Sequence, residues 1–414
     1  MLIASIDLMN GKVVQLKQGK KKMLERDNAG ELAKEFDRYG EIAVIDLDAA
    51  MGKGDNSELI KNLLKISECR VGGGIRTVNK AKELIALGAS KIIVGSKAFA
   101  KDCVNHEFLK ELSSVIGKNR IIIAVDAWQG QIVTRGWKHK TGLDLFKTIA
   151  EIEPYCSEFL FTCVEREGTL TGIDMIVAKE LVEQTSNKVT VAGGINSIEE
   201  IRSFAEAGAD VQIGMALYTQ KISLAEGFIE SLNWSKGLIP TIVQDLAGQV
   251  LMLAYTSKES LKKTFETGRM WYFSRSRNQL WMKGESSGNI QELIRMRADC
   301  DQDAILAVIK QTGVACHTEN YSCFGEKKFS VNELYDVIMD RFANPKPGSY
   351  TVTLTTELLA EKIMEEAQEL IEAKEHDHII WETADLLYFM TVLLAKNKIE
   401  FKEVLHELHR RRKK

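Results

Sequence analysis

With 414 residues the chain is too long for one ordinary domain and long enough for two or three. Its 45% hydrophobic and 27% charged content fits a soluble globular protein, and 55 Lys and Arg against 58 Asp and Glu leave a formal charge of −3, which offers no overall basic field for nucleic acid. Four prolines without a Ser/Gly-rich tract argue against long disordered linkers, and seven cysteines form an odd set without a disulfide-like framework, as expected in a reducing, cytoplasmic compartment.

The N-terminus, Met1-Leu2-Ile3-Ala4-Ser5-Ile6-Asp7, lacks the charged start and long apolar run of a signal peptide. No run of about 18 apolar residues is present, so no membrane partner is expected. Short β-branched runs then alternate with amphipathic stretches. Strands are predicted at 2–7, 42–46, 70–71, 91–94, 121–126, 158–162, 188–191 and 211–213. This alternation over residues 1–231 predicts a (β/α)8 TIM barrel, with a doubly wound sheet as the alternative. An internal repeat favours the barrel. Gly73-Gly74-Ile75 recurs as Gly193-Gly194-Ile195, Gly88-Ala89 as Gly208-Ala209, Val94-Gly95 as Ile213-Gly214, and Asp7 as Asp126, at offsets of 119 or 120 residues. Two homologous half-barrels explain this; a single-copy sheet does not.

The repeat carries chemistry. Glycines after the third, fourth, seventh and eighth strands (Gly73, Gly74, Gly95, Gly193, Gly194, Gly214) let backbone N–H groups close around two phosphates. Arg76, Ser96, Gly172 and Met215 join them as candidate substrate contacts. A single glycine pair reads as readily as a tight turn. Asp7 and Asp126 end the first and fifth strands, where opposed carboxylates can act as general base and general acid. Either alone reads equally as a capping or salt-bridged aspartate. Ile6-Asp7-Leu8, Asp46-Leu47-Asp48-Ala49-Ala50, Val71-Gly72-Gly73-Gly74-Ile75-Arg76-Thr77, Gly136-Trp137 and Arg166-Glu167-Gly168-Thr169-Leu170-Thr171-Gly172 resemble the phosphoribosylformimino-aminoimidazole-carboxamide ribotide isomerases. The related cyclase subunit of imidazole-glycerol-phosphate synthase fits Asp46 to Ala50 and Gly136-Trp137 less well. The resemblance implies an Amadori rearrangement with Asp7 as base, Asp126 as acid and Thr162 as supporting hydroxyl. The chain differs from the family at Gln15, usually Arg, at Lys20-Lys21, usually Asp-Tyr, and at Cys163.

The middle stretch holds Asp299-Cys300-Asp301-Gln302-Asp303, Ala315-Cys316-His317 and Ser322-Cys323-Phe324. Three thiolates suit zinc with a fourth position free for water, and carboxylates suit magnesium. Scattered cysteines are otherwise small buried hydrophobes. Arg275, Arg277 and the Lys283-Gly284-Glu285-Ser286-Ser287-Gly288-Asn289 run offer cations, the Ser287 hydroxyl and backbone donors for a phosphate. With Trp271-Tyr272-Phe273-Ser274 and Leu280-Trp281, these motifs resemble phosphoribosyl-AMP cyclohydrolase over residues 240–325. The resemblance implies zinc at Cys300, Cys316 and Cys323, with ligands drawn from two subunits, and magnesium at Asp299, Asp301 and Asp303.

From Val331 the pattern turns helical, with apolar residues at helical spacing over 358–373 and 378–395. Glu366 and Glu369 lie three apart, as do Glu382 and Asp385, so each pair shares a helix face. Two antiparallel helices would combine them into a four-carboxylate magnesium site that holds a polyphosphate; a solvated face is the plainer reading. Gly348-Ser349-Tyr350-Thr351, Lys362 to Glu369 and Glu382 to Tyr388 resemble phosphoribosyl-ATP pyrophosphohydrolase over 329–412, with Phe389 replacing the family's usual His. The basic end, His409 to Lys414, reads as a helix terminus rather than a nucleic-acid contact. Together the segments 1–231, 232–328 and 329–414 imply a multifunctional, homodimeric enzyme of histidine biosynthesis. It would hydrolyse phosphoribosyl-ATP, open the adenine ring of phosphoribosyl-AMP and isomerise the bisphosphorylated ribotide. The alternative is a two-step hydrolase carrying the barrel as a non-catalytic scaffold.

Overall fold

The computed structural model describes all residues except 18, 20, 168, 170–174 and 413–414, and all their side chains except those of 406, 409, 410 and 412. The expected Gly172 contact and most of the basic C-terminal cluster lie outside the described residues. Among those described, eight parallel strands build the first body: β1 (Leu2–Met9), β2 (Ile42–Asp46), β3 (Cys69–Gly72), β4 (Lys91–Val94), β5 (Ile121–Trp128), β6 (Glu158–Cys163), β7 (Lys188–Ala192) and β8 (Asp210–Ile213). β8 pairs with β1 (Leu2↔Val211) and β4 with β5 (Ile92↔Ile121), so the sheet closes on itself. Closure is the predicted barrel and excludes the open doubly wound sheet. The run Ile121-Ile122-Ile123 has no exposed surface, because Ile93, Leu160 and Ala192 fill the interior beside Ile122 while helices cover the outside.

The half-barrel repeat extends to the backbone. β1 and β5 each continue into a hairpin, through Asn10-Gly11 and Gln129-Gly130, with φ of 52° and 74° at the first turn and 51° and 75° at the second. Two central residues at positive φ are the hairpin turn whose twist matches the strands. Asn-Gly signals this turn in a sequence; Gln-Gly hides it.

The strand starts form the barrel's other end, which carries a buried ionic layer. Arg70 pairs with Glu158 and Glu41, Lys91 Nζ reaches Glu158 Oε2 at 2.7 Å, and Thr190 Oγ1 donates to Glu158 Oε1 at 2.6 Å. Burial would raise the Glu158 carboxyl, but Arg70 and Lys91 outweigh it and hold it down at about 2.

The middle segment packs against this underside. Strands Ile239–Gln244, Val250–Thr256, Gln291–Ala298 and Ile305–Gln311 make its sheet, and Trp271–Ser274 with Gln279–Met282 make a separate hairpin. Its core (Val243, Leu251, Leu261, Met270, Ile309) is continuous with Phe228, Ile229 and Leu232, the last two flanking the end of the barrel helix Leu224–Glu230. Tyr39 meets Phe265 with ring centroids 4.8 Å apart, and Arg297 bonds Asp37 Oδ1 at 2.6 Å and Glu68 Oε2 at 3.1 Å. Residues 1–245 and 250–324 thus form one compact unit, and 246–249 with 325–414 a second.

The second unit contains helices Val331–Ala343, Thr356–Glu372, His376–Lys396 and Phe401–Arg412, packed around Ile338, Leu359, Phe389, Val392 and Ala395. The helix His376–Lys396 is long and apolar enough to cross a membrane by composition. Its Glu382 and Asp385 nevertheless meet Glu366 of the neighbouring helix, which is bundle packing. Met364, Ile371 and Trp381 remain more than two-thirds exposed, at 74%, 78% and 68%.

Glu158→Gln should destabilise the barrel by about 3–5 kcal/mol, because it takes the carboxylate from Lys91 and leaves the buried Arg70 with Glu41 alone. The carboxyl is held below its ordinary 4.5, so its contribution is complete above that pH and disappears as pH falls towards about 2. Denaturant melts of wild type and variant should therefore converge on acidification; a constant gap would contradict this.

Candidate active sites

The C-terminal strand ends build a mouth lined by carboxylates. Asp7 on β1 accepts from Ser5 Oγ at 2.8 Å. Asp126 on β5, half-way round the barrel, accepts from Trp137 Nε1 at 2.8 Å and from the Thr162 hydroxyl. Glu167 follows β6 and is packed against Gly193, where an added Cβ would lie 2.5 Å from Glu167 Oε2. All three carboxyls are part-exposed to the mouth yet deeply surrounded by protein. Burial pushes Asp7 up to about 6 against its Ser5 hydrogen bond, and pushes Asp126 up against Trp137 and Thr162. Burial, then the negative charges of Asp7 and Asp126, push Glu167 up to about 8. Glu167 therefore holds a proton at neutral pH while Asp7 is largely ionised, an acid and a base in one cavity.

Several of the strand-end glycines are held in conformations or contacts that a side chain would not fit. Gly73 and Gly193 have φ of 97° and 91°, and a Cβ on Gly73 would lie 2.2 Å from the Asp46 carbonyl. Gly74 and Gly194 share positive φ, and Gly95-Ser96 and Gly214-Met215 each open a short helical turn. Arg76 is committed to the Ala49 and Ala50 carbonyls at 3.1 and 2.8 Å, and Ser96 Oγ accepts the Arg135 N–H at 2.8 Å. Gln15, only 4% exposed, lies against Gly214, and its Nε2 has no hydrogen-bond partner among the described residues. A buried free donor beside a glycine turn suits an anionic ligand.

In the middle segment, Asp299, Asp301 and Asp303 present carboxylate oxygens within 4.8 Å of one another. Cys316 and Cys323 are hydrogen-bonded together. Thr318 holds the Cys316 thiol below its ordinary value, whereas burial and then Cys316 push Cys323 up. Cys300 is exposed, and the three thiols do not converge within 4.8 Å in one chain. Lys283 Nζ donates to the Ala315 carbonyl at 2.7 Å, fixing the cysteine loop; burial lowers its pKa while the two cysteines raise it. Arg275 stacks on Tyr255 at 3.8 Å and lines a cavity with Lys236, Pro240 and Asp303. Arg277 bonds Ser274, and Ser287 accepts the Asn289 N–H, both on the surface.

In the helical unit Glu366, Glu382 and Asp385 bring carboxylate oxygens within 4.8 Å. Glu369 stands beside them, hydrogen-bonded to Glu382, and its pKa is raised by burial and then by Glu382. Burial, followed by Asp385, Glu369 and Glu382, also raises Glu366. His378 Nε2 lies 2.8 Å from Glu382 Oε1. Phe389, where the resembled family has His, is 6% exposed in the core, so this difference is absorbed by packing.

Sequence reasoning missed Glu167 as a site group, although a second acidic residue in the loop after β6 was its signal. It offered Lys283 as a cation for a phosphate but not its contact with the Ala315 carbonyl.

The comparisons agree with this geometry. A family profile described as histidine biosynthesis protein matches residues 1–223, one described as phosphoribosyl-AMP cyclohydrolase matches 252–325, and one described as phosphoribosyl-ATP pyrophosphohydrolase matches 331–412. A histidine biosynthesis bifunctional protein HisIE of Pyrococcus furiosus is 46% identical over 206 residues, 45% of this chain and 99% of that protein. Its namesake in Bacillus subtilis is 46% identical over 191 residues, 42% of this chain and 91% of that protein. A phosphoribosyl-substituted imidazole-4-carboxamide isomerase of Methanocaldococcus jannaschii is 42% identical over 230 residues, 54% of this chain and 95% of that protein. The chain belongs to the histidine biosynthesis protein family through its barrel, and it joins to that barrel a phosphoribosyl-AMP cyclohydrolase and a phosphoribosyl-ATP pyrophosphohydrolase in a fused histidine-biosynthesis enzyme.

Proposed function

We propose that this chain carries out three steps of histidine biosynthesis in the cytoplasm, as a homodimer without nucleic-acid or membrane partners. The observation that carries the reading is the order of three matched families, each coinciding with a cluster of carboxylates or thiols suited to its reaction. Segments 1–231, 232–328 and 329–414 take one step each. The helical segment releases pyrophosphate from phosphoribosyl-ATP. Glu366, Glu369, Glu382 and Asp385 would hold magnesium there, whose charge offsets that of the polyphosphate. Raised carboxyl pKa values at Glu366 and Glu369 fit this, since crowded negative charge favours a cation.

The middle segment opens the adenine ring of phosphoribosyl-AMP. Cys300, Cys316 and Cys323 would hold zinc, which supplies a water with a pKa of about 7. Cys316 and Cys323 of one chain with Cys300 of its partner would complete the set, consistent with the separation of Cys300. Asp299, Asp301 and Asp303 would hold magnesium, with Arg275, Arg277 and Ser287 towards the substrate phosphate.

The barrel isomerises the product. Glycine turns at Gly73, Gly74, Gly95, Gly193, Gly194 and Gly214, with Ser96 and Met215, bind its two phosphates through backbone donors. Asp126, supported by Thr162, protonates the ring oxygen as the aminoaldose opens to its imine, and Asp7 removes the proton from C2, the sugar carbon that becomes the ketone; a proton returned to C1 completes the aminoketose. The proton on Glu167 keeps three crowded carboxyls from all ionising together.

Three experiments test these assignments. Cys316→Ala should abolish zinc binding and ring opening while pyrophosphate release and isomerisation persist. Mixing Cys300→Ala with Cys316→Ala chains should restore ring opening, because hybrid dimers hold one intact set; no restoration would place all ligands in one chain. Asp385→Asn should slow pyrophosphate release by about 100-fold or more, the cost of losing several kcal/mol of metal-borne stabilisation. Wild-type release in this variant would make the acidic cluster a solvated face.

For the barrel, Asp7→Asn should cost about 10²–10⁴-fold in turnover with substrate binding retained. Asp7 is raised from 3.8 to about 6, so its basic form exists above that pH and kcat/KM should fall as pH drops through it. The same shift costs stability as pH rises between those values, so Asp7→Asn should unfold later than wild type at neutral pH. A barrel that binds the ribotide without turnover would instead be a scaffold.

A further inference from the structure

The loop 299–304 leaves strand Gln291–Ala298 and enters strand Ile305–Gln311, closed by Asp299 N–H to the Ala304 carbonyl and Ala304 N–H to Asp299 Oδ1, both 3.1 Å. Asp299 and Asp301 are exposed and Asp303 is part-exposed. Gln302, between two of them, turns the opposite way. It is 5% exposed and has φ of 63°, a left-handed conformation that costs a side-chain-bearing residue about 1–2 kcal/mol. Such a conformation persists where its surroundings over-determine it.

Those surroundings come from the barrel and the segment that leaves it. Gln302 Nε2 reaches Asp210 Oδ1 at 3.5 Å, a long hydrogen bond. The Gln302 carbonyl accepts the Asn233 N–H at 2.9 Å. Next in the loop, Asp303 Oδ2 pairs with Lys236 Nζ at 2.7 Å. Asp210 itself is the first residue of β8, on the underside, where it also pairs with Lys188 at 3.5 Å and with the Met1 amine. On the strand before the loop, Arg297 is fixed to Asp37 and Glu68. The barrel therefore grips the loop at its entrance and at the residue that sets which way its carboxylates face.

We infer that Gln302 is a positioning residue through which the barrel's Asp210 orients Asp301 and Asp303 for magnesium. The inference rests on the reading that this loop holds magnesium for ring opening. It gives the barrel a second task, carried by its underside and independent of its own mouth.

The test uses the full chain with Gln302→Glu, Asp210→Asn and the two combined. Gln302→Glu sets two carboxylates against each other. The combination restores a donor facing an acceptor and leaves one carboxylate for Lys188. Two readouts are followed: the magnesium concentration that half-saturates ring opening, and hydrogen exchange of the peptide containing 299–304 in metal-free protein. Gln302→Glu should raise the half-saturating concentration about tenfold or more, as loss of a ligand-orienting partner does, and speed exchange in that peptide. The combination should bring both back towards wild type, and isomerase turnover, unchanged throughout, shows that the barrel remains folded. Unchanged magnesium dependence and exchange in Gln302→Glu would overturn the inference, as would a combination no better than the single changes. Asp303→Asn separates the two levels. If it leaves magnesium dependence intact, the carboxylate-loop reading and the inference fall together. If it removes that dependence while Gln302→Glu does nothing, only the inference falls.

Discussion

The pairing of Ile92 with Ile121 closes the sheet, and closure gives the barrel two chemically unlike ends. All eight strands run the same way, so strand ends gather at one face and strand starts at the other. Asp7, Asp126, Glu167 and the glycine turns collect at the first. Arg70, Glu158, Lys91, Lys188 and Asp210 collect at the second, where the middle segment docks through Tyr39, Arg297 and Gln302. Docking on the underside leaves the mouth clear. It also puts the carboxylate loop at the opposite end of the barrel axis from Asp7 and Asp126. Fusion of these two segments therefore raises local concentration without joining their sites face to face.

One electrostatic constraint recurs along the chain. Carboxylates brought within a few ångströms cannot all stay ionised unless a proton or a cation joins them. In the barrel mouth the compensation is a proton, held longest by Glu167 at about 8. In the loop 299–304 and the helical unit the oxygens crowd to within 4.8 Å and face outward or between two helices, an arrangement suited to a divalent ion. The opposite case is Glu158, whose neighbours Arg70 and Lys91 keep it ionised down to about 2 and make it structural.

Much of this was legible in the sequence, for physical reasons that differ between elements. Continuous β-branched runs such as Ile121-Ile122-Ile123 mark strands buried on both faces, and the 120-residue echo of Gly73-Gly74 in Gly193-Gly194 marks a doubled barrel. The i, i+3 acidic pairs located the helical cluster, though Glu369 sits beside the triad rather than in it. Neither hairpin was read from the sequence, though Asn10-Gly11 after β1 carries the turn signal that Gln129-Gly130 after β5 lacks. The role of Glu167 and the Ala315 contact of Lys283 were hidden because they arise from what folding brings near them, Asp7 and Asp126 in one case and the Ala315 carbonyl in the other. The grip on Gln302 was beyond pattern reading altogether, since Asp210 lies 92 residues away.

The central claim is that one chain performs three consecutive reactions. The direct measurement is a time course of the purified protein with phosphoribosyl-ATP, magnesium and zinc, with products resolved by chromatography. The account predicts pyrophosphate release, a transient phosphoribosyl-AMP, then ring-opened aminoaldose converting to aminoketose as the sole end product. Accumulation of the aminoaldose with no aminoketose would contradict it and leave a two-step hydrolase built on a binding barrel.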